Sequence, residues 1–323
     1  MNITLSRTTL YVVTALLASG IEQRVEAQTG LLVVAHGANA EWNGQVRATV
    51  AQVEWPHGPV ATAFLMGDEA ESAGWDVAVR QLEQAGLTSI VVVPLMVSSH
   101  GSHYRQVRHY AGELAELPAT LSGHNHGTAG LATVPMRVTP ALDDAREVAE
   151  ALTAAWTRLP GERHRGPLLL LGHGPESEED AARWSEAFDS YRRSLSRAGH
   201  EGEIRTAFLR DDAPAQVRAA AIQVMRDTVT ALAARAADSV AVMTVLIATG
   251  PMTAARIPKD VAGLPVRYLP MGVTPHPAIA RWIERVAGAV RDDLVLNPYR
   301  VTAQLPSRRL GEDLSVPATA SVA

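Results

Sequence analysis

Short apolar segments alternate with longer amphipathic segments along the first half of the chain. The apolar segments are rich in β-branched residues, as strands buried on both faces of a parallel sheet are. They span 31–35, 60–65, 90–97 and 133–138. The amphipathic segments have apolar residues at helical spacing and span 41–54, 71–86, 104–116 and 141–158. This alternation predicts an α/β fold in which a parallel sheet is flanked by helices.

The second half of the chain repeats this order. Its predicted strands are 167–171, 204–209, 239–247 and 266–270. Four short sequences recur in the same order, although the spacing between them drifts, which indicates an internal duplication. The matching pairs are 31–37 with 168–174, 62–65 with 206–209, 90–100 with 240–250, and 135–140 with 270–275. We therefore predict two similar lobes, each a parallel sheet flanked by helices: an N-terminal lobe over 28–160 that carries the site, and a partly degenerate C-terminal lobe over 161–300.

The two ends of the chain differ from the rest. Arg7 precedes an apolar stretch at 8–19, and small residues at 25–27 match what a signal peptidase reads. We expect residues 1–27 to be a signal peptide and the mature protein to be periplasmic or secreted. A mis-chosen start codon and a buried first helix are the alternatives. Residues 301–323 have no periodicity, and we expect a disordered tail there.

Composition narrows the chemistry that the chain can perform. It has 29 basic and 34 acidic residues among 323, a net charge of −5 that gives no electrostatic case for nucleic acid or an anionic membrane as partner. No cysteine is present, so thiolate metal sites, disulfides and cysteine nucleophiles are excluded. A transition metal would have to be bound by histidine, carboxylates or water. No window after the first residues is long and apolar enough for a membrane helix.

Histidines follow two predicted strands of the first lobe. His36 follows the first strand, and His100 and His103 follow the third. Because ligands bind at the carboxyl ends of parallel strands, we expect these imidazoles to converge, with Glu69 or Asp68 completing an open metal site. A hydrogen-bonded loop histidine without a ligand role is the alternative for each.

Other histidines and motifs carry less weight. His173 repeats the position of His36, but Gly250 stands where His100 does, so we interpret the second lobe as a copy that lacks the partners of its one imidazole. His124 and His126 lie in a glycine-rich loop and suit weak metal capture or a solvated loop. No dinucleotide fingerprint or Walker sequence follows a strand, and no nucleophile elbow is present, so we expect no nucleotide.

The ordered motifs resemble those of the class II metal chelatases, of the sirohydrochlorin cobaltochelatase and ferrochelatase type in its long two-lobed form. The residues that carry the resemblance are His-Gly at 36–37, Ala-Phe-Leu at 63–65 and the run from Val91 to His100, together with the doubled lobes. The resemblance covers about 31–290. It implies a lyase that inserts a divalent metal, such as cobalt, iron or nickel, into a tetrapyrrole such as sirohydrochlorin without nucleotide hydrolysis.

The resemblance also implies roles for particular residues. His36 and either His100 or His103 would bind the metal and accept the pyrrole protons, with Glu69 as a further ligand. Arg105 and Arg108 would bind the carboxylates of the macrocycle. An exported metal-binding or delivery protein of the same fold, without insertion activity, is the alternative. The sequence leaves the oligomeric state open.

Overall fold

The computed structural model describes residues 28–117, 121, 132–158 and 165–296, with side chains to residue 294. The predicted signal peptide at 1–27, His124 and His126, and the predicted tail at 301–323 lie outside these residues. Two four-stranded sheets are present in the described part of the chain, and every strand pair in them is parallel. The predicted α/β fold with two similar lobes is confirmed.

The N-terminal lobe has the strand order β2-β1-β3-β4. Its strands are β1 (Thr29–Ala35), β2 (Val60–Phe64), β3 (Ser89–Leu95) and β4 (Met136–Val138). Its helices are α1 (Ala40–Val50), α2 (Trp75–Glu83), α3 (Ser102–Tyr110) and α4 (Arg146–Thr157). The helices are shorter than the periodicity predicts. Residues 71–74 and 111–116 include apolar side chains that extend the helical pattern, but the structure has turns there and not helix.

The C-terminal lobe has the same order, β6-β5-β7-β8. Its strands are β5 (Leu168–Gly172), β6 (Ile204–Phe208), β7 (Val240–Val245) and β8 (Val266–Leu269). Its helices are α5 (Glu178–Arg197), α6 (Ala215–Ala236), α7 (Ile257–Asp260) and α8 (Pro277–Leu296), with a π-helical turn at Met252–Arg256 before α7. Equivalent pairings, Leu31 with Val91 and Leu168 with Ala241, show that the sequence repeat is a structural repeat.

The two sheets share one interior. Each sheet packs its outer face against helices of its own lobe, while both inner faces contribute to a single apolar cluster. Helix α8 belongs to the second half of the chain, yet it packs against β3, β4 and α1 of the first lobe. Its Trp282 is 1% exposed in the shared cluster. Burial of this common interior is therefore what holds the lobes together.

Polar contacts reinforce the same interface. Arg285 of α8 donates two hydrogen bonds of 2.9 Å to the buried carboxylate of Glu147 on α4. Gln45 of α1 donates to the carbonyl of Thr249, which follows β7, at 2.9 Å. These contacts fix the carboxyl ends of the two sheets relative to each other. In the described part of the chain, no helix combines the length and apolar character needed to cross a bilayer.

Candidate functional site

A cavity of about 520 Å³ lies between the carboxyl ends of the two sheets. Segments that follow β1 and β3 form one wall, and segments that follow β5, β6 and β7 form the other. Much of the surface is apolar, including Trp42, Met96, Trp184, Ile247 and Met252. The cavity therefore offers broad apolar faces, and its titratable groups come from both lobes.

His36 lines the cavity directly after β1. Its Nδ1 lies 2.8 Å from the carbonyl oxygen of Gly37, and because a carbonyl only accepts, Nδ1 carries the proton and Nε2 keeps a lone pair. Gly37 has φ of 87°, and a Cβ there would lie 2.1 Å from the carbonyl oxygen of Met66, so glycine is required for this turn. Burial and the nearby His103 lower the pKa of His36 to about 4. The ring is therefore neutral near pH 7 and free to bind a metal.

His103 lies in the first turn of α3 and is packed against His36. The ring centroids are 4.7 Å apart at an interplanar angle of 86°. Nδ1 of His103 lies 3.2 Å from Oε1 of Gln106, whose own Nε2 donates to the hydroxyl of Tyr110 at 2.9 Å. In the neutral ring this hydrogen-bonded chain favours the tautomer with the proton on Nδ1, in which Nε2 is an acceptor.

His173 and Asp212 bring the second lobe into the same cavity. His173 follows β5 as His36 follows β1, and its Nδ1 donates to the carbonyl of Gly174 at 2.9 Å. Oδ2 of Asp212 lies 3.5 Å from Nε2 of His173 and 3.9 Å from Nε2 of His103. The interpretation that His173 lacks partners is wrong, because the fold places the ends of β5 and β6 opposite those of β1 and β3.

Sequence reasoning missed Asp212, although the repeat contains a signal for it. Residues 62–65 recur as 206–209, and three residues after each copy comes an aspartate, Asp68 in the first lobe and Asp212 in the second. Asp212 lines the cavity, whereas Asp68 is not among the lining residues. The sequence repeat thus shows that Asp68 and Asp212 are equivalent positions, but the two residues have different surroundings in the structure.

His100 and Glu69 lie away from the cavity surface. The carbonyl oxygen of His100 accepts a 2.6 Å hydrogen bond from Nε1 of Trp184, and His100 is not among the lining residues. The carboxylate of Glu69 is bound by Arg47 and by Nδ2 of Asn43. The hydrogen bond from Arg47 is the main cause of a lowered pKa of Glu69. Ligand roles for His100 and Glu69 stay predictions, and for Glu69 a metal would have to compete with Arg47.

The two arginines predicted to bind substrate carboxylates are also ion-paired. Arg105 contacts Asp180 of α5 at 3.0 Å, and Arg108 contacts Glu113 at 3.0 Å. Neither is among the lining residues of the cavity. The cations on the cavity surface are Arg256 and Lys259, and Lys259 is the only lysine in the sequence.

The described residues contain no group of three or more His, Asp or Glu side chains already spaced to hold a metal ion. What the cavity contains instead is a set of oriented acceptors: the Nε2 atoms of three histidines and one carboxylate. Such a set can bind a partly hydrated divalent ion loosely, because water can supply the remaining ligands. It can also accept protons, since imidazole and carboxylate are both bases.

Comparisons with known proteins agree with the fold. Residues 30–159 match the family model of CbiX. The structure resembles the sirohydrochlorin chelatase SirB from Bacillus subtilis subspecies spizizenii in complex with cobalt, with a TM-score of 0.56, 14% identity, and coverage of 82% of this chain and 96% of that one. SirB from Bacillus subtilis with Fe3+ gives a TM-score of 0.52, 16% identity, and coverage of 84% and 97%. No curated protein sequence matches the chain.

The fold is therefore that of a class II chelatase, and the resemblance predicted from the sequence is confirmed. The match to the CbiX family model lies in the N-terminal lobe, over residues 30–159. At 14–16% identity, the likeness to the two SirB structures extends to the fold of both lobes.

Proposed function

We propose that this protein is a sirohydrochlorin-type metal chelatase, a lyase that inserts a divalent metal such as cobalt, iron or nickel into a tetrapyrrole. The observation that carries the proposal is the contact between His36 and His103 in the cavity, with both Nδ1 atoms bonded inside the protein. The CbiX match of this lobe supports it. So do the two SirB structures, one named a sirohydrochlorin chelatase in complex with cobalt and the other named with Fe3+.

The reaction exchanges one ion for two protons. The incoming M²⁺ loses its water and protein ligands as it bonds to the four ring nitrogens, and the two pyrrole N–H groups release two H⁺. In their neutral forms, His36 and His103 can serve first as weak ligands and then as proton acceptors, because a neutral imidazole with its proton on Nδ1 has a lone pair on Nε2. No step needs a nucleotide.

The apolar walls suit the flat face of a macrocycle. Trp42 and Trp184 present indole surfaces to the cavity, and Met96 and Met252 add flexible apolar side chains. A shaped cleft can also bend the ring and expose its nitrogens, which is a form of substrate strain. Arg105 and Arg108 would bind peripheral carboxylates only by exchanging Asp180 and Glu113 for the substrate.

A metal-binding or delivery protein of chelatase fold is the second candidate function. The convergence of three imidazoles and one carboxylate on one cavity favours metal affinity whether or not insertion follows. Export, expected from residues 1–27, would remove the protein from a cytoplasmic tetrapyrrole pathway. N-terminal sequencing of the expressed protein tests that expectation: a mature start near Gln28 supports export, and an intact Met1 contradicts it.

The decisive experiment mixes the protein with sirohydrochlorin and Co²⁺ or Fe²⁺ and follows the absorbance change of insertion. We expect His36→Ala and His103→Ala to lower the rate by about 10²-fold or more, while His100→Ala, a histidine three residues away and off the cavity, has a smaller effect. Metal binding without accelerated insertion would favour the delivery protein. Insertion that is unchanged in both His36→Ala and His103→Ala would contradict the proposed site.

A further inference from the structure

The cavity brings three hydrogen-bond acceptors together across the boundary between the lobes. Each Nδ1 of His103 and His173 is bonded to an oxygen of its own lobe, so Nε2 is the ring atom of each that is left for a ligand in the cavity. Both Nε2 atoms lie near Oδ2 of Asp212, at 3.9 and 3.5 Å. Two imidazoles and a carboxylate that converge in this way attract a cation.

Asp211, the residue next to Asp212, differs from it in how its charge is compensated. Asp211 is buried and bound by Arg218 and Arg256, which compensate its charge. Asp212 has only the two imidazoles as ion-pair partners in the described part of the chain. The negative charge of Asp212 is therefore not compensated by an arginine of the described residues, and a cation that enters the cavity can compensate it.

We propose that a divalent cation binds across the two lobes, with Asp212, His173 and His103 as its protein ligands and water in the remaining positions. Imidazole and carboxylate together suit first-row ions such as Co²⁺, Fe²⁺ and Ni²⁺. The inference rests on the proposed function, since it assigns the place where the metal substrate waits before insertion. It adds two ligands from a lobe that the sequence interpretation treated as degenerate.

The distances from Asp212 to the two imidazoles are slightly longer than the distances between ligands that bind one metal ion. Two ligands that share an ion lie about 3.0 to 3.5 Å apart when each bond is about 2.1 Å. The separations of 3.5 and 3.9 Å therefore require a small inward movement. Asp212 is 40% exposed, and no arginine restrains it in the described residues, so its side chain can make that movement.

Titration of the whole protein with Co²⁺ in the absence of tetrapyrrole tests this inference. Affinity is measured by calorimetry, and ligation by the visible absorption and the X-ray absorption spectrum of the bound ion. We expect Asp212→Asn and His173→Ala each to weaken binding by at least about 10-fold, and His173→Ala to remove one imidazole from the shell. The matched control is Asp68→Asn, the equivalent residue of the first lobe, which should bind Co²⁺ like the wild type.

The outcomes separate this inference from the proposed function. Wild-type affinity in Asp212→Asn and His173→Ala, with weakened binding in His36→Ala and His103→Ala, would overturn the two-lobe site and leave the chelatase proposal standing. An unchanged imidazole count in folded His173→Ala would overturn it as well. No Co²⁺ binding by the wild type would also overturn it, while the insertion assay would still decide the function. Circular dichroism of each variant verifies that the fold is kept.

Discussion

The two lobes share a backbone plan but contribute different chemistry to the cavity. Each has a histidine after its first strand, a glycine with positive φ after that histidine, and the same bond from Nδ1 to the glycine carbonyl. They differ after the third strand, where the first lobe has His103 and the second has Thr253 at the equivalent position. After the second strand the difference is reversed, because Asp212 faces the cavity and Asp68 does not.

A packing constraint explains part of this divergence. Gly250 of the second lobe is equivalent to His100, and a Cβ at Gly250 would lie 3.1 Å from Cδ1 of Trp42 in the first lobe. A side chain at this position would therefore require Trp42 to move by a few tenths of an ångström. The lobes have become complementary: one supplies two imidazoles, and the other supplies an imidazole and a carboxylate.

The largest effect should come from the interior that the lobes share. Trp282→Ala removes a side chain that is 1% exposed in the common cluster, and we expect a loss of about 3 to 5 kcal/mol in the free energy of unfolding. Urea unfolding followed by circular dichroism should show one transition, because both lobes lose packing. The control is Val224→Ala on α6, which is 63% exposed and should change stability by less than about 0.5 kcal/mol. Two separate transitions would contradict the shared core.

The equivalent glycines test whether the two histidine turns are under the same constraint. Gly37→Ala places a Cβ 2.1 Å from the Met66 carbonyl oxygen, and Gly174→Ala places one 2.6 Å from Cβ of Phe208. Both residues have positive φ, so we expect each variant to lose about 3 kcal/mol of stability. Gly44→Ala, inside α1 with nothing within 4 Å, should instead stabilise by about 0.5 to 1 kcal/mol. Thermal unfolding curves measure all three, and a neutral Gly37→Ala would show that the turn is not strained.

The ion pair between α4 and α8 makes a contribution to stability that depends on pH. Burial alone would raise the pKa of Glu147, but hydrogen bonds from Arg285 and Arg146 outweigh it and the pKa is lowered. A lowered folded-state pKa means that the contribution is present above about pH 4.5 and is lost as the pH falls through the folded-state value.

Glu147→Gln should therefore cost about 1 to 3 kcal/mol near pH 7, and less as the pH falls below 4. Unfolding free energies of the variant and the wild type, compared at pH 3.5, 5 and 7, measure this difference. Glu150→Gln is the control, because Glu150 is half exposed and its bond to Arg281 is weak in water. A difference that stays constant with pH would assign the effect to packing and not to charge.

The smallest effect on stability should come from Arg105, which crosses from α3 to Asp180 of the second lobe. It is 39% exposed, so we expect Arg105→Gln to change stability by less than about 1 kcal/mol. Its effect on KM for sirohydrochlorin is the informative measurement. A raised KM would support the predicted role in binding carboxylates, whereas an unchanged KM would leave Arg105 a contact between lobes. Arg183→Gln, an arginine of α5 paired within its own helix, is the control.

The fold could be predicted largely from local patterns. Apolar runs gave the positions of the strands, and the sequence repeat predicted two lobes with the same strand order. Convergence of His36 with a histidine after the third strand followed from the rule for parallel sheets. The choice between His100 and His103 did not follow, because it depends on where α3 begins: Ser102 starts the helix, so His103 lies in its first turn and His100 in the preceding loop.

Features that depend on how the lobes meet were beyond sequence reasoning. Nothing in the periodicity of α8 indicates that it packs on the sheet of the other lobe, since its apolar face would suit either sheet. The partnership of Asp212 with His103 links residues that are 109 positions apart in the numbering and is set by the lobe interface. Arg47 likewise forms an ion pair with Glu69, between α1 and the loop after β2, and no spacing rule predicts this contact.

The position of α8 has a consequence for biosynthesis. Ribosomes release the first half of the chain long before residues 277–296 have been made. Until then the inner face of the first sheet has α1 and α4 in its apolar cluster but lacks α8, the helix that packs on β3 and β4. During most of its synthesis, the nascent chain therefore exposes a hydrophobic surface that can aggregate with other chains. A premature stop codon near the 3′ end of the message would therefore damage the portion that was translated earliest.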